Sequence, residues 1–473
     1  MSLTRALVLA SGPLCLALVL VTPPPAGMDE AAWRVTGIAA WMMLWWVTEA
    51  LPLAVTALLP ILLLPLAGVM DTGGATQAYA HPVVFLFLGG FLLALAIQQC
   101  GLHERIALAI LTFGGSQPAR VVAAFMVATA MLSMWISNTA TAALLLPVAL
   151  SILALVEDDH AEWSRHRFTP ALLVGIAYAA NIGGMATLIG TPPNAILAGY
   201  LGEHHGISVS FIGWMAVGLP LACVLLAVAW WLLVRVSFPL GERPLEHLGA
   251  MVADRRRLLG GWTRPQRLVA GVFLAAALLW LLRPALNQWL PELHDAHIAL
   301  GAGVLAFLLP AAADRRSLLE WKDTQQLPWG VLLLIGGGLS LGAAVVESGL
   351  ADWIAAGLAA TRGWSIPIMV AAVAAVAMAL SHVTSNTAAA ATLIPIATTT
   401  GIAAGLPPLL LAMPVALAAS CAFLLPTATP PNAIVFGSER LKVLHLIRAG
   451  APLSAAALLG LAAGAALFSL VSW

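Results

Sequence analysis

Two tracts of this chain repeat each other across most of its length, and their chemistry limits the folds open to it. Residues 137–147 read Ser-Asn-Thr-Ala-Thr-Ala-Ala-Leu-Leu-Leu-Pro, and residues 385–395 read Ser-Asn-Thr-Ala-Ala-Ala-Ala-Thr-Leu-Ile-Pro. A second matched pair follows, Thr191-Pro192-Pro193-Asn194-Ala195-Ile196 and Thr429-Pro430-Pro431-Asn432-Ala433-Ile434. Gly101-Leu102 and Gly349-Leu350 are 248 positions apart, as are Ser133 and Ser381, and after an indel of ten the Thr-Pro-Pro-Asn tracts are 238 apart. The chain is therefore a duplicated unit, interrupted at the same places in each half.

What it is interrupted in follows from composition. Of 473 residues, 61% are hydrophobic and 9% charged, against roughly 25% charged in soluble domains. Apolar runs of about 18 residues recur throughout, so the expected fold is an all-α polytopic membrane protein. In lipid a broken helix strands backbone groups unless they line a cavity. Matched interruptions in two halves point to a transporter's binding site. A formal net charge of zero gives no reason to expect nucleic acid as a partner. The four cysteines, Cys15, Cys100, Cys223 and Cys421, have no metal spacing and read as structural thiols. The sequence carries no Walker motif and no intramembrane Asp pair or His-Glu set, which argues against a pump or a membrane enzyme. The first apolar run, after Arg5, reads as an uncleaved helix.

Spans are expected near 6–21, 33–48, 52–67, 82–99, 170–200, 211–235, 267–283, 297–310, 329–347, 408–436 and 450–472. Paired apolar arms are expected at 119–136 with 139–156 and at 365–384 with 387–403. The stretch with Arg243, Arg255, Arg256, Arg257, Arg264 and Arg267 is the strongest cytoplasmic marker. Arg105 with Arg120, Arg165 with Arg167, Arg315 with Arg316 and Lys322, and Arg440 with Lys442 and Arg448 fall on the same side. The loops at 70–80 and 202–210 lack Lys and Arg. This places the N-terminus in the cytoplasm and the C-terminus outside, in the plasma (bacterial inner) membrane. Equivalent spans then lie an odd number of crossings apart, which makes the repeat inverted. The halves suggest two bundles, a scaffold of 1–117 and 266–363 and a transport unit of 118–236 and 364–473, joined by the Arg-rich linker 237–265.

At Ser137-Asn138 and Ser385-Asn386 the sequence turns abruptly from apolar helix formers to N-cap residues. A helix beginning there presents free N–H groups and a positive dipole end, suited to a carboxylate. Hydroxyls and freed carbonyls facing the other way suit a hard cation. Pro192 and Pro430 push Thr191 and Thr429 out of helical geometry, leaving the carbonyls of Gly190 and Ala428 as candidate acceptors. No basic residue falls within the tracts, so an anion must be held by dipoles, amides and co-bound cations.

On these paired Ser-Asn-Thr and Thr-Pro-Pro-Asn signatures, nearly the whole chain resembles the divalent anion/sodium symporters, carriers of dicarboxylate, citrate or sulfate. The resemblance implies about eleven transmembrane helices plus two re-entrant hairpins with tips at 137–139 and 385–387. It implies a homodimer whose transport unit moves as an elevator while the scaffold holds the dimer. It also implies two sodium sites, Ser133, Ser137, Asn138 and the Gly190 backbone in one, Ser381, Thr384, Ser385, Asn386 and the Ala428 backbone in the other. Substrate carboxylates would meet Asn138, Thr139, Asn386 and Thr387, with Pro192, Thr429 and Pro430 closing the pocket. The expected activity is sodium-coupled symport of a small dianion, a C4-dicarboxylate such as succinate. A dicarboxylate exchanger or a proton-coupled carrier using His382, where the family commonly has an acidic residue, is the alternative, with sulfate or citrate as other substrates. Glu49 reads as structural, and Arg283 and Arg362 as snorkelling residues at span ends.

Overall fold

The computed structural model describes the chain apart from residues 1–2, 243–244, 246–247, 312–316, 358–363 and 471–473. Arg243, Arg315, Arg316 and Arg362 thus lie outside the described residues, as do the side chains of Arg5 and Arg255. Among the described residues every named element is a helix, with one isolated bridge between Pro310 and Ser317. Six helices are long and apolar enough to cross a bilayer: Thr72–Gln99, Phe211–Ser237, Arg264–Leu286, Trp329–Glu347, Ile366–Val383 and Val443–Ala465. Shorter apolar helices such as Pro118–Ser133 and Asp295–Leu308 pack among them. The molecule is an integral, multi-pass membrane protein.

The duplication is visible in the backbone. Helices Pro82–Gln99 and Trp329–Glu347 both end in a glycine with positive φ, Gly101 at 71° and Gly349 at 77°. Only glycine adopts this conformation without a Cβ penalty, so it stops the helix and turns the chain into a short successor, Leu102–Leu111 or Leu350–Gly357. Two helix pairs follow at matching points. Pro118–Ser133 joins Asn138–Trp163 through residues 134–137, and Ile366–Val383 joins Asn386–Ala403 through Thr384 and Ser385.

One expected span is corrected. The single span at 52–67 is broken into Leu53–Thr56 and Leu59–Leu66, because Pro60 cannot continue a helix from Thr56. The apolar run 170–200 stops at Gly184 and resumes at Pro192, so that proline opens a helix instead of kinking one. Helices Pro408–Ala419 and Pro430–Phe436 repeat this break. The Arg-rich linker contains a helix of its own, Leu248–Leu259. Arg105 ties its end down, donating to the carbonyls of Leu259, Gly260 and Gly261 at 3.0–3.1 Å.

Arg283 does not snorkel. Its half-buried guanidinium lies 3.1 Å from buried Asp295, whose carboxylate also accepts the backbone N–H of Phe211 at 2.7 Å. This pins the start of helix Phe211–Trp231 to the start of helix Asp295–Leu308.

Candidate functional site

A cavity of about 600 Å³ lies where the two hairpin tips and the two helix breaks meet. Ser137, Asn138, Thr139, Ser385, Asn386 and Thr387 line it from the tips, and Gly190, Thr191, Pro192, Ala428, Thr429 and Pro430 from the breaks. Phe87, Phe91 and Leu95 of helix Pro82–Gln99 form an apolar wall. All seven residues expected to contact substrate line this one space. Exposed Glu49, Gln326 and Pro328 also line it, so the cavity reaches the surface on their side.

Four helices begin at the cavity wall, at Asn138, Pro192, Asn386 and Pro430. A helix start carries unpaired N–H groups and partial positive charge. The extended residues Thr191 (φ −147°) and Thr429 (φ −144°) deliver the chain into two of these starts. No Lys, Arg or His is among the described lining residues. Positive charge at the cavity wall can therefore come only from backbone N–H groups, supplemented by amides and hydroxyls.

Three members of one expected set, Ser133, Asn138 and the Gly190 carbonyl, lie together. Ser133 is fully buried, its hydroxyl donating to the Ala180 carbonyl at 2.7 Å and lying 2.7 Å from the Asn138 amide. The Asn138 amide in turn lies 3.2 Å from the carbonyls of Gly190 and Ala180, to which it donates when its nitrogen faces them. The Ser133 hydroxyl and the carbonyls of Ala180 and Gly190 thus surround the Asn138 amide. Close approach makes this possible: a Cβ on Gly184 would overlap the Asn138 amide, and one on Gly190 would overlap the Gly184 carbonyl. Ser137 is turned aside, capping its own helix by accepting from Ala140 N at 3.3 Å.

Members of the second set make separate bonds. Ser381 donates to the Ala419 carbonyl at 2.6 Å, Thr384 donates to the Trp46 carbonyl at 3.3 Å, and Ser385 accepts from Ala388 N at 3.1 Å. Asn386 accepts from the Thr387 hydroxyl at 3.3 Å. Ser381 and Thr384 are buried behind the cavity wall, like Ser133.

Other participants are seen only in three dimensions. Asn181 lines the cavity and donates to Thr429 Oγ1 at 2.9 Å, joining the first broken helix to the second. Thr191 Oγ1 is buried there without a partner. Asn194 donates to the carbonyls of Gly184 (3.1 Å) and Thr187 (2.7 Å), and Asn432 to those of Ala422 (3.4 Å) and Leu425 (3.0 Å). In each half the asparagine of Thr-Pro-Pro-Asn thus ties off the stranded carbonyls of its own break. The signal for this was the tract itself, although its asparagine carried no role in the sequence reading.

His382 is not among the residues lining the cavity. Its Nε2 accepts from Leu424 N at 3.2 Å, so the proton sits on Nδ1, which donates to the Met378 carbonyl at 2.7 Å. Both nitrogens of a neutral ring are thereby used.

Comparisons with known proteins agree with this architecture. The model of the sodium:sulfate symporter transmembrane region matches residues 5–473. A protein of Staphylococcus aureus named sodium-dependent dicarboxylate transporter SdcS is 39% identical over 448 residues, spanning 93% of this chain and 86% of that protein. Among solved structures, the Alcanivorax borkumensis YdaH transporter aligns with a TM-score of 0.58 at 15% identity, over 99% of this chain and 98% of that one. Neisseria gonorrhoeae MtrF, described as illuminating a class of antimetabolite efflux pumps, aligns at 0.59 and 16% identity, over 100% and 96%. These two likenesses are of fold.

Proposed function

This chain belongs to the sodium:sulfate symporter transmembrane family, and from that membership we propose that it is a secondary transporter, not an enzyme, coupling inward movement of a C4-dicarboxylate such as succinate to sodium. The observation that carries the reading is the convergence of four helix starts on a cavity whose described lining has no basic side chain. A dianion can be held there by N–H groups, amides and hydroxyls, but its charge needs co-bound cations. In this reading Ser133, Ser137, Asn138 and the Gly190 carbonyl make the first sodium site, with the Asn138 amide turning its oxygen to the ion, and Ser381, Thr384, Ser385, Asn386 and the Ala428 carbonyl draw together around the second on loading. The name of the 39% identical relative supports both ion and substrate class. The neutral, doubly bonded His382 favours sodium over a proton as the coupling ion.

The helix pairs 118–163 and 366–403 are read as re-entrant hairpins within an inverted repeat of eleven crossings. With basic loops on the cytoplasmic side, Glu49, Gln98 and Gln326 mark the cytoplasmic mouth, and the conformation is inward-open. The unit 118–236 with 364–473 then slides as an elevator against a scaffold of 1–117 with 266–363, in a homodimer. Proteoliposomes should accumulate labelled succinate only under an inward sodium gradient, and equal uptake with choline or potassium in place of sodium rules the mechanism out. Counterflow with sulfate and citrate ranks the substrates.

A further inference from the structure

Glu49 is the sole charged residue among the described residues that line the cavity. It sits there against local preference on two counts. It occupies the position just past helix Glu30–Thr48 with left-handed backbone, φ 48° and ψ 39°, its N–H bonded back to the Trp45 carbonyl. Glycine or asparagine is the residue that suits such a helix end. The carbonyl end of a helix also carries partial negative charge, which favours a cation over a carboxylate. The one other described non-glycine residue with positive φ, Glu439, is not among the cavity-lining residues. A local rule broken twice at a cavity mouth directs attention to function.

We infer that Glu49 is a cation-recruiting carboxylate at the mouth of the cavity, drawing sodium in and turning away a dianion that arrives without it. This rests on the transport reading above. The interior attracts anions through helix starts, so a negative group at the entrance opposes entry of an uncompensated dianion while raising the local concentration of cations. Together the two fields favour loading of sodium before substrate from this side. The same carboxylate opposes recapture of a dianion after its sodium has left.

The test is binding of labelled succinate to purified protein across a sodium series, at ionic strength held constant with choline chloride. E49Q removes the charge and keeps the shape, and E49D keeps the charge. E49N is a second neutral variant whose side chain tolerates left-handed backbone, so a folding defect in E49Q does not mask the result. E49Q and E49N should need about three- to tenfold more sodium for half-maximal binding, with E49D within about twofold of the parent. Raising total ionic strength should shift the parent more than E49Q. Neutral variants that follow the parent curve overturn the inference, as does an E49D shift equal to that of E49Q, which would assign the effect to shape. A parent whose succinate binding ignores sodium overturns both this inference and the transport reading, and is told apart by appearing in the parent.

Discussion

Thr139 and Thr387 stand at equivalent points of the two halves, and both line the cavity one residue into a helix start. In T139V or T387V the shape is kept and a hydroxyl donor lost. Leaving a charged acceptor unpaired costs about 1.5–3 kcal/mol, or roughly tenfold and more in succinate affinity. Parent-like binding by both variants would remove them from the substrate site. Ser133 and Ser381 belong to the cation reading, and S133A and S381A should each raise the sodium concentration for half-maximal uptake. An unchanged sodium dependence in both would discard that assignment. These positions were legible in the sequence because hydroxyls and amides stand out in an apolar chain and recur at a fixed displacement. Asn181 was not, since it lies outside the tracts and its bond to Thr429 joins residues remote in sequence, and the unpartnered hydroxyl of Thr191 shows only in the folded chain, although Thr191 and Thr429 are a matched pair.

At the level of elements, the break in each half is held by one side chain. N194A strands the buried carbonyls of Gly184 and Thr187, at about 1–3 kcal/mol for each unpaired group. Its melting midpoint in detergent should fall, and uptake with it, because the Gly190 carbonyl hangs from the same loop. A parent-like melting curve would deny Asn194 the bracing role. The Arg283–Asp295 pair is similarly exposed to loss: R283A leaves a buried carboxylate uncompensated, at about 3–5 kcal/mol. Restoring much of that stability by the double change R283M/D295L would identify the uncompensated charge as the cause, and failure to do so would point to packing. Continuous apolar runs gave their bounds away in the sequence, with 82–99 and 329–347 recovered to the residue. Hydropathy could not locate the break after Gly184, because the loop 185–191 is as apolar as the helix before it, and its departure from helix is set by tertiary bonds.

For the whole molecule, the proposed sliding movement draws attention to the small residues of helix Trp329–Glu347. Gly338 faces Ala391, and Gly342 faces Tyr200 and Pro395, with contacts of 2.8–3.5 Å at the place of a Cβ. Across the same seam Gly199 meets Leu339 at 3.0 Å. Glycines let the two sides of this seam approach closely, and under the proposed movement it is the surface along which they slide. In a background with the four native cysteines replaced, G199C/L339C should crosslink in the inward-open state, stop uptake, and release it on reduction. Crosslinking that is equal under all conditions and leaves uptake intact would refute the sliding movement. The four helix starts around the cavity carry a further consequence, for heredity. A charge borne by arginine is one codon away from loss, whereas a peptide dipole is encoded by every residue that keeps its helix wound. On the proposed reading, point changes around this pocket reshape which anion fits while leaving intact the field that draws an anion in at all.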